Sequence, residues 1–201
     1  MNQPKITQMN RNHEPSPNRI ADTTASRPNQ IWQTDITYIP FENGFHYLMV
    51  VMDVYSRMVV GWSLSATMPA AWVTRSMRTA VERWGAPEIV HSDRGTQFTS
   101  ATFRGYLNSL GTVSQSMINR PIATDNVYVE RFFRSIKQEC LNVRPNGTEE
   151  ELRLLCESYI GTYNLARCHS SIGNVPPAEY YGRAVDNSEL IGELKVQNLP
   201  K

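Results

Sequence analysis

The spacing of apolar residues changes partway along the chain, and this change limits the folds that are available. β-Branched and aromatic residues concentrate in runs at 31–40, 45–54 and 58–64, with an Asn43-Gly44 turn signal between the first two. From residue 69 the apolar residues instead recur about every 3.6 positions, which predicts a helix over 69–84. Three strands followed by helices predict a mixed α/β fold.

The second half of the chain alternates short strands with helices. We predict strands at 88–92 and 112–116, separated by a helix at 100–110. After a loop at 117–124, Asp125 can cap a helix that runs to about residue 141. Thr148 with Glu151 three residues later is a capping-box signature and predicts a last long helix to residue 165. The sequence therefore predicts five strands with flanking helices.

Composition divides the chain into three predicted parts. Residues 1–30 are rich in Asn, Pro, Ser and Thr, so we expect an extended arm or linker. Residues 31–182 form the expected core with a C-terminal helix, and residues 183–201 form a polar tail. The longest apolar run, at 47–52, is too short for a membrane-spanning helix, and the polar start does not resemble a secretory signal.

Cysteine content and charge narrow the class of protein. The three cysteines lack disulfide or zinc-site spacing, which favours a reducing, cytoplasmic location. A net charge of +1 argues against binding of nucleic acid through bulk positive charge, so any such binding must be local. The excess of Arg over Lys fits either bidentate phosphate contacts or a GC-rich source genome, and composition leaves both open.

Two aspartates stand at positions where a carboxylate needs an explanation. Asp35 lies in the middle of a predicted strand beside Ile36, where an unpaired carboxylate costs free energy. Asp93 directly follows the strand at 88–92, a place where α/β sheets present side chains to ligands. Taken alone, the Asp-x-Gly sequence at this point is more typical of a simple turn.

A third acid, Glu130, lies on the helix predicted to begin at Asp125. At about 100° per residue, Glu130 falls at the border of the apolar arc, together with Arg134 and Lys137. The alternative is a solvated ridge in which Glu130 pairs with Arg134 at i, i+4. Taken together with Asp35 and Asp93, however, these groups match the needs of phosphoryl transfer, in which carboxylates hold two Mg²⁺ about 4 Å apart and basic residues contact the flanking phosphates.

Several other residues attract attention but have simpler explanations. Asp53 is predicted to accept local hydrogen bonds in a turn rather than to bind metal. His91 is expected to pack at a strand end, and His169 to make a structural contact after the long helix. Tyr128, close to Glu130, could stack on a nucleic-acid base.

Four ordered motifs resemble those of the IS3-family insertion-sequence transposases. The first three resemble the catalytic blocks of that family and the fourth its closing motif. They are WQTDITYI at residues 32–39, HSDRGTQFTS at 91–100, DNVYVERFFRSIKQE at 125–139, and YNLARCH at 163–169 followed by Pro176-Pro177.

This resemblance implies a catalytic core like that of retroviral integrases, with the ribonuclease H-like fold. It assigns Asp35, Asp93 and Glu130 to a DDE triad that binds Mg²⁺, for which Mn²⁺ can substitute. It places Lys137 where the family has a lysine thought to contact DNA ends, and the same helix makes Arg131 a further DNA-contact candidate. The implied reaction is cleavage and strand transfer of DNA in transposition, by homo-oligomers on DNA in the bacterial cytoplasm, associated with the nucleoid.

Three departures from the family motivate alternatives. Asp93 and Glu130 are separated by 36 residues, one more than usual in the family, and the addition is placed near residues 112–115. Pro121 should stiffen the loop before the catalytic helix. The chain also starts inside the expected linker, without a helix-turn-helix region. These departures favour a degenerate or domesticated transposase fragment that binds DNA or a partner without cutting. A second alternative, a nuclease acting on RNA–DNA hybrids, is one that the fold permits.

Overall fold

A computed structural model describes residues 16–21, 23–41, 44–118, 126–142, 147–185 and 192. The elements are five strands, five α-helices and two shorter helical segments. In chain order they are β1 Ile31–Phe41, β2 Gly44–Asp53, β3 Val59–Ser65, α1 Ala70–Trp84, β4 Ile89–Ser92, α2 Ala101–Ser109, β5 Ser114–Met117, α3 Val127–Ile136, a π-helical segment Lys137–Leu141, α4 Glu149–Leu165, a 3₁₀ turn Ser170–Ile172 and α5 Pro177–Val185.

The five strands form one mixed sheet in the order β3-β2-β1-β4-β5. The first three pair antiparallel, whereas β4 runs parallel to both β1 and β5. Phe41 pairs with Gly44, so the β1–β2 connection is a two-residue hairpin. Asn43, predicted in that turn, lies outside the described residues. The predicted mixed five-stranded sheet is therefore confirmed.

Strand β2 is covered on both faces, as its continuous apolar sequence predicts. Met49 and Val51 belong to the core on one side of the sheet, which α1, α2 and α5 complete. Leu48 and Val50 belong to the core on the other side, which α3 and α4 complete. Alternate residues of one strand thus serve two separate cores.

Helix α1 approaches the sheet closely at Gly61. A Cβ built on this glycine would lie 2.8 Å from the Ala80 Cβ, closer than two carbon atoms pack. Because Gly61 has no side chain, α1 can lie directly on the sheet at this position of β3.

Two predicted helix features change in the structure. Asn126, not Asp125, occupies the N-cap of α3, and its side chain makes no capping hydrogen bond; Asp125 itself lies outside the described residues. The helical run does continue to Leu141, but from Lys137 it follows π-helical geometry, with the Asn142 N–H donating to the Lys137 carbonyl at 2.9 Å. Local sequence patterns identify the approximate ends of a helix more clearly than they identify its hydrogen-bond register.

The predicted division of the chain at residues 30 and 182 stays a prediction. The described part of residues 16–30 contacts the core, where the Arg19 N–H donates to the Ser116 Oγ at 2.9 Å. At the other end, α5 continues to Val185, past the proposed boundary. No helix within the described ranges is both long and apolar enough to cross a bilayer.

Candidate active site

Adjacent parallel strands bring the two predicted aspartates to the same edge of the sheet. Gln33 on β1 pairs with His91 on β4. Continuing this register by two residues places Asp35 level with Asp93, just beyond the end of β4. This geometry arises because β1 runs past β4, so the loop after β4 meets the middle of β1.

Asp93 is held by the turn that follows β4. Its Oδ1 accepts a hydrogen bond from the Gly95 N–H at 2.9 Å. A Cβ on Gly95 would lie 3.0 Å from that same oxygen, so a larger residue would crowd the carboxylate. The turn predicted as the simple alternative is present, and it orients the carboxylate beside Asp35.

Helix α3 presents Glu130 in its first turn. Its buried side chains, Val129, Phe132, Phe133 and Ile136, pack on the sheet and leave Glu130 exposed. The Tyr128 N–H donates to the Gln33 Oε1 at 3.3 Å, which ties the start of α3 to β1 two residues before Asp35. Within the described ranges no ion pair joins Glu130 to Arg134, so the predicted alternative of an i, i+4 pair is not formed.

The electrostatics of Asp35 show that the three acids are neighbours. Burial raises the pKa of this half-buried carboxyl well above its usual value, and the charges of Asp93 and Glu130 raise it further. The Ile36 N–H, which donates to Oδ1 at 2.8 Å, and the nearby Lys137 ammonium act in the opposite direction. Groups far apart in the sequence therefore share one electrostatic environment.

The donor set suits a hard divalent cation, although the side chains are not gathered around a single point. Three carboxylates supply the oxygen ligands that Mg²⁺ prefers. In the part of the chain that the structure describes, no group of three or more His, Cys, Asp or Glu side chains has metal-binding geometry. Because Glu130 is exposed, rotation of its side chain costs little packing energy.

Two of the four predicted DNA-contact residues lie on the Glu130 side of the helix. The Lys137 ammonium is 4.4 Å from the centroid of the Tyr38 ring. Burial lowers the pKa of Lys137, and the negative charge of Asp35 opposes this shift. Arg134 is exposed one turn earlier. Their contact with DNA stays a prediction.

Tyr128 and Arg131 lie around the helix from Glu130, beside a different cavity. Both residues line it, and the Arg57 guanidinium covers one face of the Tyr128 ring at 3.6 Å from its centroid. Base stacking by Tyr128, as predicted, would therefore have to use the other face.

The remaining candidates have structural roles. Asp53 is buried and accepts hydrogen bonds from the Ser56 N–H and from the Asn29 N–H, both at 2.8 Å, as predicted for a turn. His91 is buried in β4 with Nδ1 2.9 Å from the Ser116 Oγ. His169 packs edge-on against the Tyr163 ring, with 4.8 Å between centroids.

Sequence reasoning assigned no role at the site to Gln33 or Arg57, and it took Gly95 only as part of a turn signal. Gln33 stands two positions before Asp35 and so shares its strand face, a signal that was available. Gly95 stands two positions after Asp93, where its N–H can reach back. Arg57 had no comparable signal because its partner, Tyr128, is distant in sequence.

Comparison with known families decides the relationship that the motifs suggest. Two family models, both described as integrase core domain, match consecutive parts of the chain, at residues 25–120 and 112–177. The chain belongs to the integrase core domain family. The matched residues span the strands and helices that carry all three acids of the site.

Curated transposases resemble this integrase core domain in sequence. This chain is 38% identical over 162 residues to the transposase InsF for insertion sequence IS3A of Escherichia coli. The match covers 79% of this chain and 56% of that protein. It is 36% identical over 166 residues to the transposase for insertion sequence element IS904 of Lactococcus lactis, covering 81% and 64%. The chain thus spans just over half the length of the InsF relative, and the predicted resemblance to IS3-family transposases is confirmed.

Solved structures share the fold of the integrase core domain. One is the HTLV-2 integrase catalytic core domain in complex with magnesium, with TM-score 0.63, 20% identity, and coverage of 79% of this chain and 99% of that one. Another is a simian T-cell lymphotropic virus intasome with the PP2A regulatory subunit B56 gamma, with TM-score 0.64, 19% identity, and coverage of 86% and 60%. The predicted ribonuclease H-like integrase fold is confirmed.

Proposed function

We propose that this integrase core domain is the catalytic part of a DDE transposase that cleaves DNA at transposon ends and joins it to a target. The observation that carries the proposal is the arrangement of the elements: the register of β1 with β4 places Asp35 level with Asp93, and the start of α3, which carries Glu130, is hydrogen-bonded to Gln33 two residues before Asp35. The raised pKa of Asp35, to which both Asp93 and Glu130 contribute, supports this arrangement. Three carboxylates that repel one another beside the central strand destabilise the sheet, so its folding alone does not explain their presence. Such a cluster is stabilised when it binds cations, because the cations neutralise the repulsion.

The relatives support DNA as the substrate. InsF and the IS904 protein are both transposases, and this chain matches just over half of the length of the first and somewhat more of the second. The fold is also that of an integrase core solved with magnesium. We therefore propose two Mg²⁺ ions, replaceable by Mn²⁺, as the cofactors of Asp35, Asp93 and Glu130.

The chemistry follows from the positions of the side chains. Bound Mg²⁺ would supply Lewis-acid stabilisation of the attacking and leaving oxygens of a phosphodiester. Asp35 and Asp93 would hold the metal from the sheet, and Glu130 would close the site from α3. Arg134 and Lys137 would orient the flanking phosphates. Water hydrolyses the first bond, and the 3′-hydroxyl released attacks the second, so neither step needs a covalent link to the protein.

Assembly and location belong to the same proposal. We propose that copies of this chain assemble on DNA as homo-oligomers in the bacterial cytoplasm and are associated with the nucleoid while bound. The simian virus relative is described as an intasome, and the HTLV-2 core in a trimeric form.

The first prediction tests the triad. Asp35→Asn, Asp93→Asn and Glu130→Gln should each abolish Mg²⁺-dependent strand joining, by at least about 10³-fold, because each removes a charge that holds the metal. Joining of labelled transposon-end DNA to a plasmid measures this, with circular dichroism to verify folding. Glu82→Gln, an exposed carboxylate on α1 at the opposite face of the sheet, is the matched control and should join normally.

Three outcomes would contradict parts of this assignment. If one of the three variants joins DNA as well as the parent does, the substituted residue does not belong to the triad. A folded parent that binds neither Mg²⁺ nor Mn²⁺ at millimolar concentration in calorimetry supports the non-cutting fragment instead. Faster cleavage of an RNA–DNA hybrid than of duplex DNA supports the nuclease.

A further inference from the structure

A basic cavity lies around α3 from the acidic site. It has a volume of about 320 Å³ and is formed where α3, the turn after β2 and the loop after α4 meet. Its principal side chains are Arg57, Tyr128, Arg131, Tyr163, Arg167 and His169. At about 100° per residue, Arg131 and Tyr128 stand roughly 100–160° around the helix from Glu130. The cavity is therefore separate from the predicted triad.

The lining carries positive charge without matching negative charge. Among the described residues that line the cavity there are three arginines and no acid. Arg167 is already paired, since its two terminal nitrogens lie 2.6 and 2.9 Å from the carboxylate oxygens of Glu139. Arg57 and Arg131 form no ion pair with any acid in the described ranges. Two guanidinium groups thus remain available to an anion.

Arg57 is placed at the cavity by an unfavourable backbone conformation. Its φ of 66° lies in the left-handed region, which costs free energy in any residue with a side chain. The turn holds this conformation, with the Arg57 N–H donating to the Asp53 carbonyl at 2.9 Å. Stacking on Tyr128 covers one face of the guanidinium. The N–H donors at the edge of the group remain available, and arginine binds phosphate through these donors.

His169 adds a polar group that the fold does not satisfy. Its Nε2 is buried without a hydrogen-bond partner among the described residues. Burial and the charges of Arg167 and Arg57 lower the pKa of this imidazole. A neutral ring beside two arginines offers one further hydrogen bond to a ligand in the cavity.

We infer that this cavity binds a phosphate group of the DNA backbone, through Arg57 and Arg131, on the side of α3 away from the acids. The inference rests on the proposed function for the identity of the phosphate as part of DNA. A phosphate held here would let α3 lie between two points of the bound nucleic acid, with the acids on one side and the basic cavity on the other.

The experiment compares charge-removing variants of the full chain. Arg57→Asn keeps a residue that tolerates the left-handed conformation, and Arg131→Gln changes an exposed helix position. Arg75→Gln, which removes an exposed arginine from α1 on the opposite face of the sheet, is the matched control. Anisotropy with labelled duplex DNA, in EDTA, gives the affinity at several salt concentrations. A second arm titrates inorganic phosphate and follows the arginine Nε–H signals by NMR.

The double variant should reduce the magnitude of the slope of log K against log salt by about 1, since each phosphate contact contributes about 0.9 and the two arginines hold one phosphate. Each single variant should reduce this magnitude by no more than the double variant does, and Arg75→Gln should leave it unchanged. Inorganic phosphate should shift the Arg57 and Arg131 signals of the parent.

The outcomes separate this inference from the proposed function. If the parent joins DNA but the double variant keeps the parental salt slope, the inference is overturned and the function stands. Loss of inorganic phosphate binding with an unchanged DNA slope also overturns it, because the site then serves a free phosphate. If the parent neither binds nor joins DNA while the variants lose phosphate binding, the proposed function fails and an anion site is supported.

Discussion

Asp35 carries an electrostatic penalty that the metal-free protein does not relieve. Burial raises the pKa of its carboxyl, and the negative charges of Asp93 and Glu130 raise it further. A carboxyl whose pKa rises on folding stabilises the folded state fully below its unfolded pKa, near 3.8, and this stability is lost as pH rises through the folded pKa. At pH 8, far above 3.8, Asp35 therefore makes the free protein less stable than a neutral side chain at this position would.

Asp35→Asn should accordingly raise the melting temperature at pH 8 in EDTA, with the difference disappearing below about pH 3.8. We expect a rise of a few degrees, since about 1 kcal/mol moves the Tm by roughly 2–4 °C in a domain of this size. Added Mg²⁺ should raise the Tm of the parent but not of the variant. Differential scanning calorimetry measures both effects. A variant that melts below the parent in EDTA at pH 8 would argue that Asp35 is stabilised by contacts, not penalised.

Helix α4 begins where its local sequence specifies. The Thr148 Oγ accepts from the Glu151 N–H at 3.2 Å, and the Glu151 carboxylate accepts from the Thr148 N–H at 2.7 Å, which confirms the predicted capping box. Two backbone donors at the helix start are satisfied by side chains three residues apart. The feature depends on no distant residue, which is why the sequence alone predicts it.

Thr148→Ala should lower the free energy of unfolding by about 1 kcal/mol, the usual cost of losing an N-cap. Urea denaturation followed by circular dichroism provides the value. Thr148→Ser keeps the accepting hydroxyl and serves as the control, so its stability should match the parent. Equal stability of the alanine and serine variants would show that the capping box contributes nothing in this protein.

The side chain of Asn164 joins two elements of the molecule that lie far apart in the sequence, α4 and β3. The buried side chain of this α4 residue accepts from the Val59 N–H and donates to the Val59 carbonyl, each at 2.9 Å. Its amide thus pairs with β3, the edge strand of the sheet, as a neighbouring backbone would. This contact holds the late helix α4 against an element formed more than a hundred residues earlier.

Asn164→Ala should cost about 2–4 kcal/mol, because it leaves a buried N–H and a buried carbonyl of Val59 without partners. Chemical denaturation tests this, and Asn108→Ala, at an exposed position on α2, is the matched control and should change stability by less than about 0.5 kcal/mol. A cost below about 1 kcal/mol at Asn164 would mean that water replaces the amide at the sheet edge.

Local signals account for the parts of the site that were predicted. The strand around Asp35 follows from its β-branched neighbours, and the position of Asp93 follows from the short strand before it. The 100° helical spacing placed Glu130 with Arg134 and Lys137 at one border of the apolar arc. The extra residue predicted near residues 112–115 leaves no break in the sheet, since the β4–β5 register is continuous from Ile89 to Ser92. Pro121 lies outside the described residues.

Most of the strands and helices could be predicted from local sequence, because strand and helix periodicity, capping boxes and hairpin turns depend on neighbours within a few positions. The sequence also indicated which acids to examine. The stacking of Arg57 on Tyr128, the shared cavity of Arg131 and the pairing of Asn164 with β3 could be seen only once the chain was folded. Those contacts join residues far apart along the chain, and their formation depends on how the two cores pack the helices against the sheet.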